Sequence, residues 1–338
     1  MGLGRREVLL GTGALVLGGC SSSTSGGAST TATAANTGSA VSASPTPTPT
    51  RTPSPSTSSP RPVTSLLPAT AAWAADGNEI LGAVKLVATR LVEAMGSWDL
   101  QGAGAAAAVA RVSASGIDPT FVDSAAALVD GGVAARIQVI DAQYGGLLTS
   151  TASVLVPTRQ WLVNEAGTIT ERGWTFDVRL SAASPSWKVT AITPSDPGPS
   201  VLGGSLATQV LGSSRIVLPP ASRADVASGQ VHDSALSAML KLAKSYTLGI
   251  SVIRSGHPLY VFGTSRLSDH PKGRAFDTWQ INGLAIVSAA TPRSLVTGYM
   301  TAVAGTGSYN VGGPYLLSGS TYFSDQTHHD HVHAGFSA

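Results

Sequence analysis

Between residues 78 and 95, apolar side chains return at Ile80, Val84, Val87, Leu91 and Met95, steps of four, three, four and four that put them on one side of an α-helix. Trp98 and the alanine-rich stretch 102–110 extend this helical part. The period then changes. Segments 134–148, 151–165, 168–181 and 185–193 alternate apolar and polar residues between Gly, Ser and Pro, which predicts an antiparallel meander. Ser195-Asp196-Pro197-Gly198-Pro199 reads as a linker. A second domain opens at 216–220, with Pro219-Pro220 as a turn. Asp233 is placed to cap a helix that presents Leu236, Leu240, Ala243 and Tyr246. Short strands are expected at 249–253, 276–281, 315–317 and 331–336, and a helix at 291–304. Helices beside antiparallel sheets make both domains, 70–195 and 200–338, α+β.

The first 69 residues follow neither period. Gly4-Arg5-Arg6-Glu7 is a basic start, residues 8–17 are a short apolar run, and Leu17-Gly18-Gly19-Cys20 ends it. The run falls short of the roughly 20 apolar residues that span a bilayer, so 1–19 reads as a signal peptide. Small residues before Cys20 resemble a bacterial lipobox, which implies lipidation of Cys20 and a membrane anchor on the outer face of the cell. The paired arginines resemble a twin-arginine leader. Residues 20–69 are almost all Ser, Thr, Ala, Gly and Pro and are expected to form a disordered tether, reaching between roughly 40 and roughly 150 Å.

Composition narrows the function classes. Net charge is +2 and charged residues are only 12% of the 338, so no basic field argues for nucleic acid. The single cysteine cannot form an internal disulfide.

Candidate chemistry is concentrated at the end of the chain. Four of the seven histidines, His328, His329, His331 and His333, lie in the last eleven residues. They answer an upstream stretch, Ser268-Asp269-His270-Pro271-Lys272-Gly273-Arg274-Ala275-Phe276-Asp277. Catalytic zinc sites use three side chains from His, Asp, Glu or Cys and leave a fourth position for water. His331 and His333 alternate with Val332 on a strand and therefore share a face, roughly 7 Å apart. That separation suits one His on a metal and one beside it. Gly273 and Ala275 suit a tight turn between His270 and Asp277.

Ser268, His270, Gly273, Ala275 and Asp277, followed by a strand carrying His-x-His, resemble the D-Ala-D-Ala metallopeptidases and murein endopeptidases of the hedgehog/DD-peptidase fold. The resemblance covers about the last 120 residues. It implies Zn²⁺ held by His270, Asp277 and His333, and hydrolysis of peptide bonds in peptidoglycan stem peptides. Two groups compete as the catalytic base. The carboxypeptidase branch carries Glu three residues before the last ligand, where this chain has Asp330. The endopeptidase branch has His-x-x-His-x-His, matched by His328, His331 and His333. His331 is the favoured base, and His328 is expected to orient a ligand. The family's substrate-holding Arg is not in its usual place, since Ser255-Gly256-His257 is followed by Pro258. Arg254 or Arg266 is expected to replace it, with His257 and Ser268 as further substrate contacts.

The first domain's element order, with Trp174 and Trp187 placed within strands, resembles the NTF2-like fold. It has no histidine, so a structural or protein-binding role is expected. The expected whole is a disordered Ser/Thr/Pro-rich tether, an NTF2-like helix-plus-meander domain and a hedgehog/DD-peptidase-like zinc domain. The alternatives to an enzyme are a wall-binding module and a structural lipoprotein that retain the zinc fold. A wall-binding module predicts loss of a ligand, whereas His270, Asp277 and His333 are all present; an open coordination position separates the structural lipoprotein from a peptidase.

Overall fold

A computed structural model describes residues 62–201 and 203–337. The leader, Cys20 and residues 20–61 of the expected tether lie outside the described residues. Part of the segment expected as tether is structured. A 3₁₀ turn spans Val63–Leu66, and Leu67 packs with Ala134 and Val163.

The described residues fall in one compact unit with two sheets, and the part before the 195–199 segment, called the first domain below, starts with helices α1 (Gly82–Gly96) and α2 (Ala105–Ala114). The buried face of α1 is Val84, Ala88, Leu91, Val92 and Met95, rotated slightly from the predicted one, with Val87 at its edge. It packs on a sheet of β1 (Ala134–Val139), β2 (Gln143–Leu147), β3 (Thr151–Val163), β4 (Ile169–Arg172), β5 (Thr175–Ser181) and β6 (Lys188–Pro194). All pairings are antiparallel. The first and third predicted strands are each broken in two, and Trp174 and Trp187 sit just before β5 and β6 rather than within them. The long β3 is the spine: β1 pairs with its second half and β2 with its first.

The second domain contains α3 (Ser205–Gly212), β7 (Ile216–Val217), α4 (Pro220–Ala227), α5 (Asp233–Leu242), β8 (Leu248–Val252), β9 (Ala275–Ile281), β10 (Leu284–Ala285), α6 (Arg293–Gly305), β11 (Asn310–Gly312), β12 (Tyr322–Phe323) and β13 (Val332–Gly335). Pro220 is the first residue of α4 rather than part of a turn, because a proline at that position loses no helical hydrogen bond. The cap of α5 is His232, not Asp233; its ring accepts from Ser234 N–H. Residues 315–317 form no strand; the edge of the sheet is made by β11 and β12 instead. The strand order is β12-β11-β13-β9-β8-β7, with β10 on β9.

Period-two alternation gives this sheet two different faces. Ile250, Phe276, Val332 and Ala334 join Leu236, Met239, Val296 and Met300 of α5 and α6 in one core. Ser251, Asp277 and His333 alternate with them and face the other way, toward the first domain. Among the described residues, no helix is long and apolar enough to cross a membrane.

Candidate metal centre

Asp277 and His333 are directly opposed residues of β9 and β13, a cross-strand pair whose side chains meet by register alone. His270 joins them through the turn before β9. There Gly273 adopts φ +68°, and a Cβ on it would lie 2.0 Å from the Gln230 carbonyl oxygen, so no other residue fits.

The three donors converge. His270 Nε2 lies 3.1 Å from His333 Nδ1 and 3.2 Å from Asp277 Oδ1, and His333 Nδ1 lies 3.0 Å from Asp277 Oδ1. His270 Nδ1 donates to the Ile253 carbonyl at 2.8 Å, which leaves Nε2 as a lone pair aimed inward. The Asp277 oxygen facing it carries lone pairs as well. Donors this close are held together by a shared proton or by a cation, and two imidazoles with one carboxylate suit a divalent ion. His270, Asp277 and His333, all buried, thus bring together a His/His/Asp donor set able to hold a metal ion.

The ligating atoms of His257, His270 and Asp277 also lie within 4.8 Å of one another. His257, however, stacks on His270 with ring centroids 4.0 Å apart and planes 13° from parallel. A ligated ion lies in the plane of its imidazole, so two face-to-face rings do not share one ion. His257 Nδ1 is 2.9 Å from the Pro258 carbonyl. We therefore assign His333, not His257, as the third donor.

His331 stands beside this tripod, with Nε2 3.9 Å from Asp277 Oδ1 and Nδ1 2.6 Å from Asp330 Oδ1. The other oxygen of Asp330 accepts from Lys85 Nζ at 2.5 Å. Burial pushes the Asp330 carboxyl up, but Lys85 and His331 hold it well below the usual range. Burial likewise opposes charge on His331, yet Asp277 and Asp330 raise it to about 9. Asp277, the largest of the raising influences, loses that pull when its charge is shared with a dication. Burial raises Asp277, but His270 and His331 hold it far down, and burial lowers His333 to about 4.

Two polar residues of the first domain reach this site, a feature the sequence reading did not foresee. Gln143 Nε2 on β2 donates to Asp277 Oδ2 at 2.6 Å, while Ser251 Oγ donates to Gln143 Oε1. Lys85 on α1 is fully buried and bonds both Asp330 and Glu79. Glu79, His329 and Asp330 form a second group of potential ligands, but the Lys85 ammonium is already their shared cation. Ile80 N–H donates to His329 Nε2 at 3.0 Å, which fastens the 328–331 loop to the first domain.

The tripod opens on a cleft of about 540 Å³ between the domains. Tyr144 to Leu148 wall one side, and His257, Phe262, Arg266, Ser268 and His328 line the rest. Gly146 is required there, because a Cβ would fall 2.1 Å from Phe262. His331 lines the cleft and Asp330 does not. His328 sits edge-on to Phe323, with its ring 5.1 Å from His331 and 5.7 Å from His333. Its Nδ1 bonds Asp325 at 2.7 Å. Arg266 is exposed at the cleft rim. Arg254, expected at the substrate, does not line the cleft. Its guanidinium donates to the Pro197 carbonyl at 2.9 Å and neighbours Asp225, which pins the interdomain linker.

No family model matches the chain, and comparison with curated proteins and with solved structures returned no match.

Proposed function

We propose that this protein is a zinc-dependent peptidase acting on peptidoglycan stem peptides, held in the cell envelope by a lipid on Cys20. The observation that carries the reading is three converging donors, His270, Asp277 and His333, at the floor of a cleft with His331 beside them. Zinc, when bound, polarises a peptide carbonyl and acidifies a water molecule. The chain's own residues supply the rest. His331 Nε2 takes a proton from the attacking water and returns it to the leaving amine. Asp330 accepts from His331 Nδ1, fixing the tautomer that presents Nε2 to the cleft. The cleft walls hold the peptide and exclude bulk water, and Arg266 at the rim is placed to meet a substrate carboxylate. The substrate class and the anchor come from the motif resemblance in 268–333 and at Cys20.

The test incubates the zinc-loaded full chain with stem peptides and crosslinked muropeptides, following released D-Ala and cut crosslinks. Cleavage that stops on chelation and in Asp277→Ala supports the reading. A protein that holds zinc and cuts none of these substrates is a wall-binding or structural module instead.

A further inference from the structure

We propose that the first domain is a working part of the metal site: Gln143 positions the ligand Asp277, and Lys85 positions His331 through Asp330. Each lies more than a hundred positions before the residue it contacts, 134 for Gln143 and Asp277 and 245 for Lys85 and Asp330.

Gln143 is buried, and its amide is oriented at both ends. Ser251 Oγ donates to Oε1, so Nε2 must face Asp277 Oδ2 at 2.6 Å. An Asp carboxylate that spends one oxygen on an amide donor offers the other, Oδ1, to a metal. That is the oxygen lying 3.0 and 3.2 Å from the two histidine nitrogens. Gln143 thus makes Asp277 a one-oxygen ligand and keeps a coordination position open.

Lys85 does the same for the neighbouring group. Its ammonium has no exposed surface and lies 2.5 Å from Asp330 Oδ2. The remaining oxygen of Asp330 then faces His331 Nδ1 at 2.6 Å. Neither contact exists unless the two domains are docked. The metal-binding domain alone would hold Asp277 with a free outer oxygen and Asp330 with no cation.

Outer contacts of this kind typically change metal affinity or activity by about 10- to 100-fold when removed. In the full chain, Gln143→Met removes the donor at nearly constant volume. It is expected to weaken zinc, measured by competition against a chromogenic chelator, by about that factor. With cobalt(II) in place of zinc, the visible absorption should weaken as Asp277 becomes a two-oxygen ligand and the coordination number rises. Ser251→Ala, which removes only the hydroxyl that orients the Gln143 amide, should move both readings the same way by less. Lys85→Met, assayed under conditions where it remains folded, should lower kcat by a larger factor than it weakens zinc, and an unchanged kcat in the folded variant would overturn the role of Lys85. Only this turnover arm rests on the peptidase reading. Should no variant or parent cleave any stem peptide, that reading fails, and the zinc and cobalt readings still decide the role of Gln143. Unchanged affinity and an unchanged cobalt spectrum in both folded Gln143→Met and Ser251→Ala would overturn the proposal.

Discussion

His331 gives the most discriminating measurement. Its Nε2 lies 3.9 Å from Asp277 Oδ1, farther than the 3.0–3.2 Å that separates the three converging donors, and the proposed mechanism makes it the base beside the ion and not a ligand. His331→Ala should therefore leave zinc affinity within about twofold of the parent, since no first-sphere bond is lost. Turnover should fall by the usual contribution of a proton-transfer group, about 10²- to 10⁴-fold, or about 2.7 to 5.4 kcal/mol of transition-state stabilisation. Asp330 touches His331 and Lys85 and does not line the cleft. Asp330→Asn should accordingly cost less than His331→Ala, because the imidazole remains in place without its charged partner. Both variants are compared on one stem-peptide substrate, with zinc content measured in the same samples and the temperature kept well below unfolding. Near-normal turnover in His331→Ala with a dead Asp330→Asn would show that Asp330 is the base. Loss of zinc from His331→Ala would show that His331 is a ligand and that the tripod is drawn wrongly.

Three further outcomes are expected. Lys85→Met should destabilise the protein by about 3 to 5 kcal/mol in urea unfolding, because Glu79 and Asp330 are left as buried, uncompensated carboxylates; a cost below about 1 kcal/mol would show that the ammonium is not their counterion. Asp141→Asn should stabilise. Burial, helped by Asp330 and opposed by Lys85, raises the Asp141 carboxyl to about 7, and its Oδ2 has no hydrogen-bond partner. A folded value above the unfolded one, about 4, means that stability is lost as pH rises between the two. The Tm gain of the variant should thus grow from about pH 4 to about pH 7 and level off above, and a gain that shrinks with pH would refute the reasoning. Cys20→Ala should move the protein from the membrane fraction to the soluble fraction, since no apolar segment near it is long enough to span a bilayer; a cleaved variant still on the membrane would refute the lipid anchor.

The meeting of His270 and Asp277 was legible because their spacing is local and their residue types are chemically narrow, while His333 was joined to them only through the motif resemblance. His270, Gly273 and Asp277 form one turn and one strand start, and His333 alternates with the core residues Val332 and Ala334. The contribution of the first domain was not legible, because it depends on how two sheets dock. Gln143 sits in an ordinary Ala-Gln-Tyr-Gly-Gly run with nothing to mark it. Lys85 left a faint trace. Lys85, Thr89, Val92 and Gly96 are spaced four, three and four apart and all are buried, a second stripe beside the apolar face of α1. A lysine in such a stripe points to a buried partner, but the partner lies 245 residues away. Arg254 was misplaced for a related reason: its chain position beside the Ser-Gly turn suggested the cleft, while Asp225 and the Pro197 carbonyl draw its side chain to the linker.

The position of β13 has a consequence for biosynthesis. This strand is inserted between β9 and β11 and carries His333. Until it arrives, β7 to β10 and β11 to β12 are separate pieces of sheet with no bonds between them. A ribosome-bound chain that has emerged only as far as α6 already holds His270 and Asp277, yet has neither a closed sheet nor a third donor. Completion of the three-donor set and closure of the sheet are thus a single event, the docking of β13 between β9 and β11.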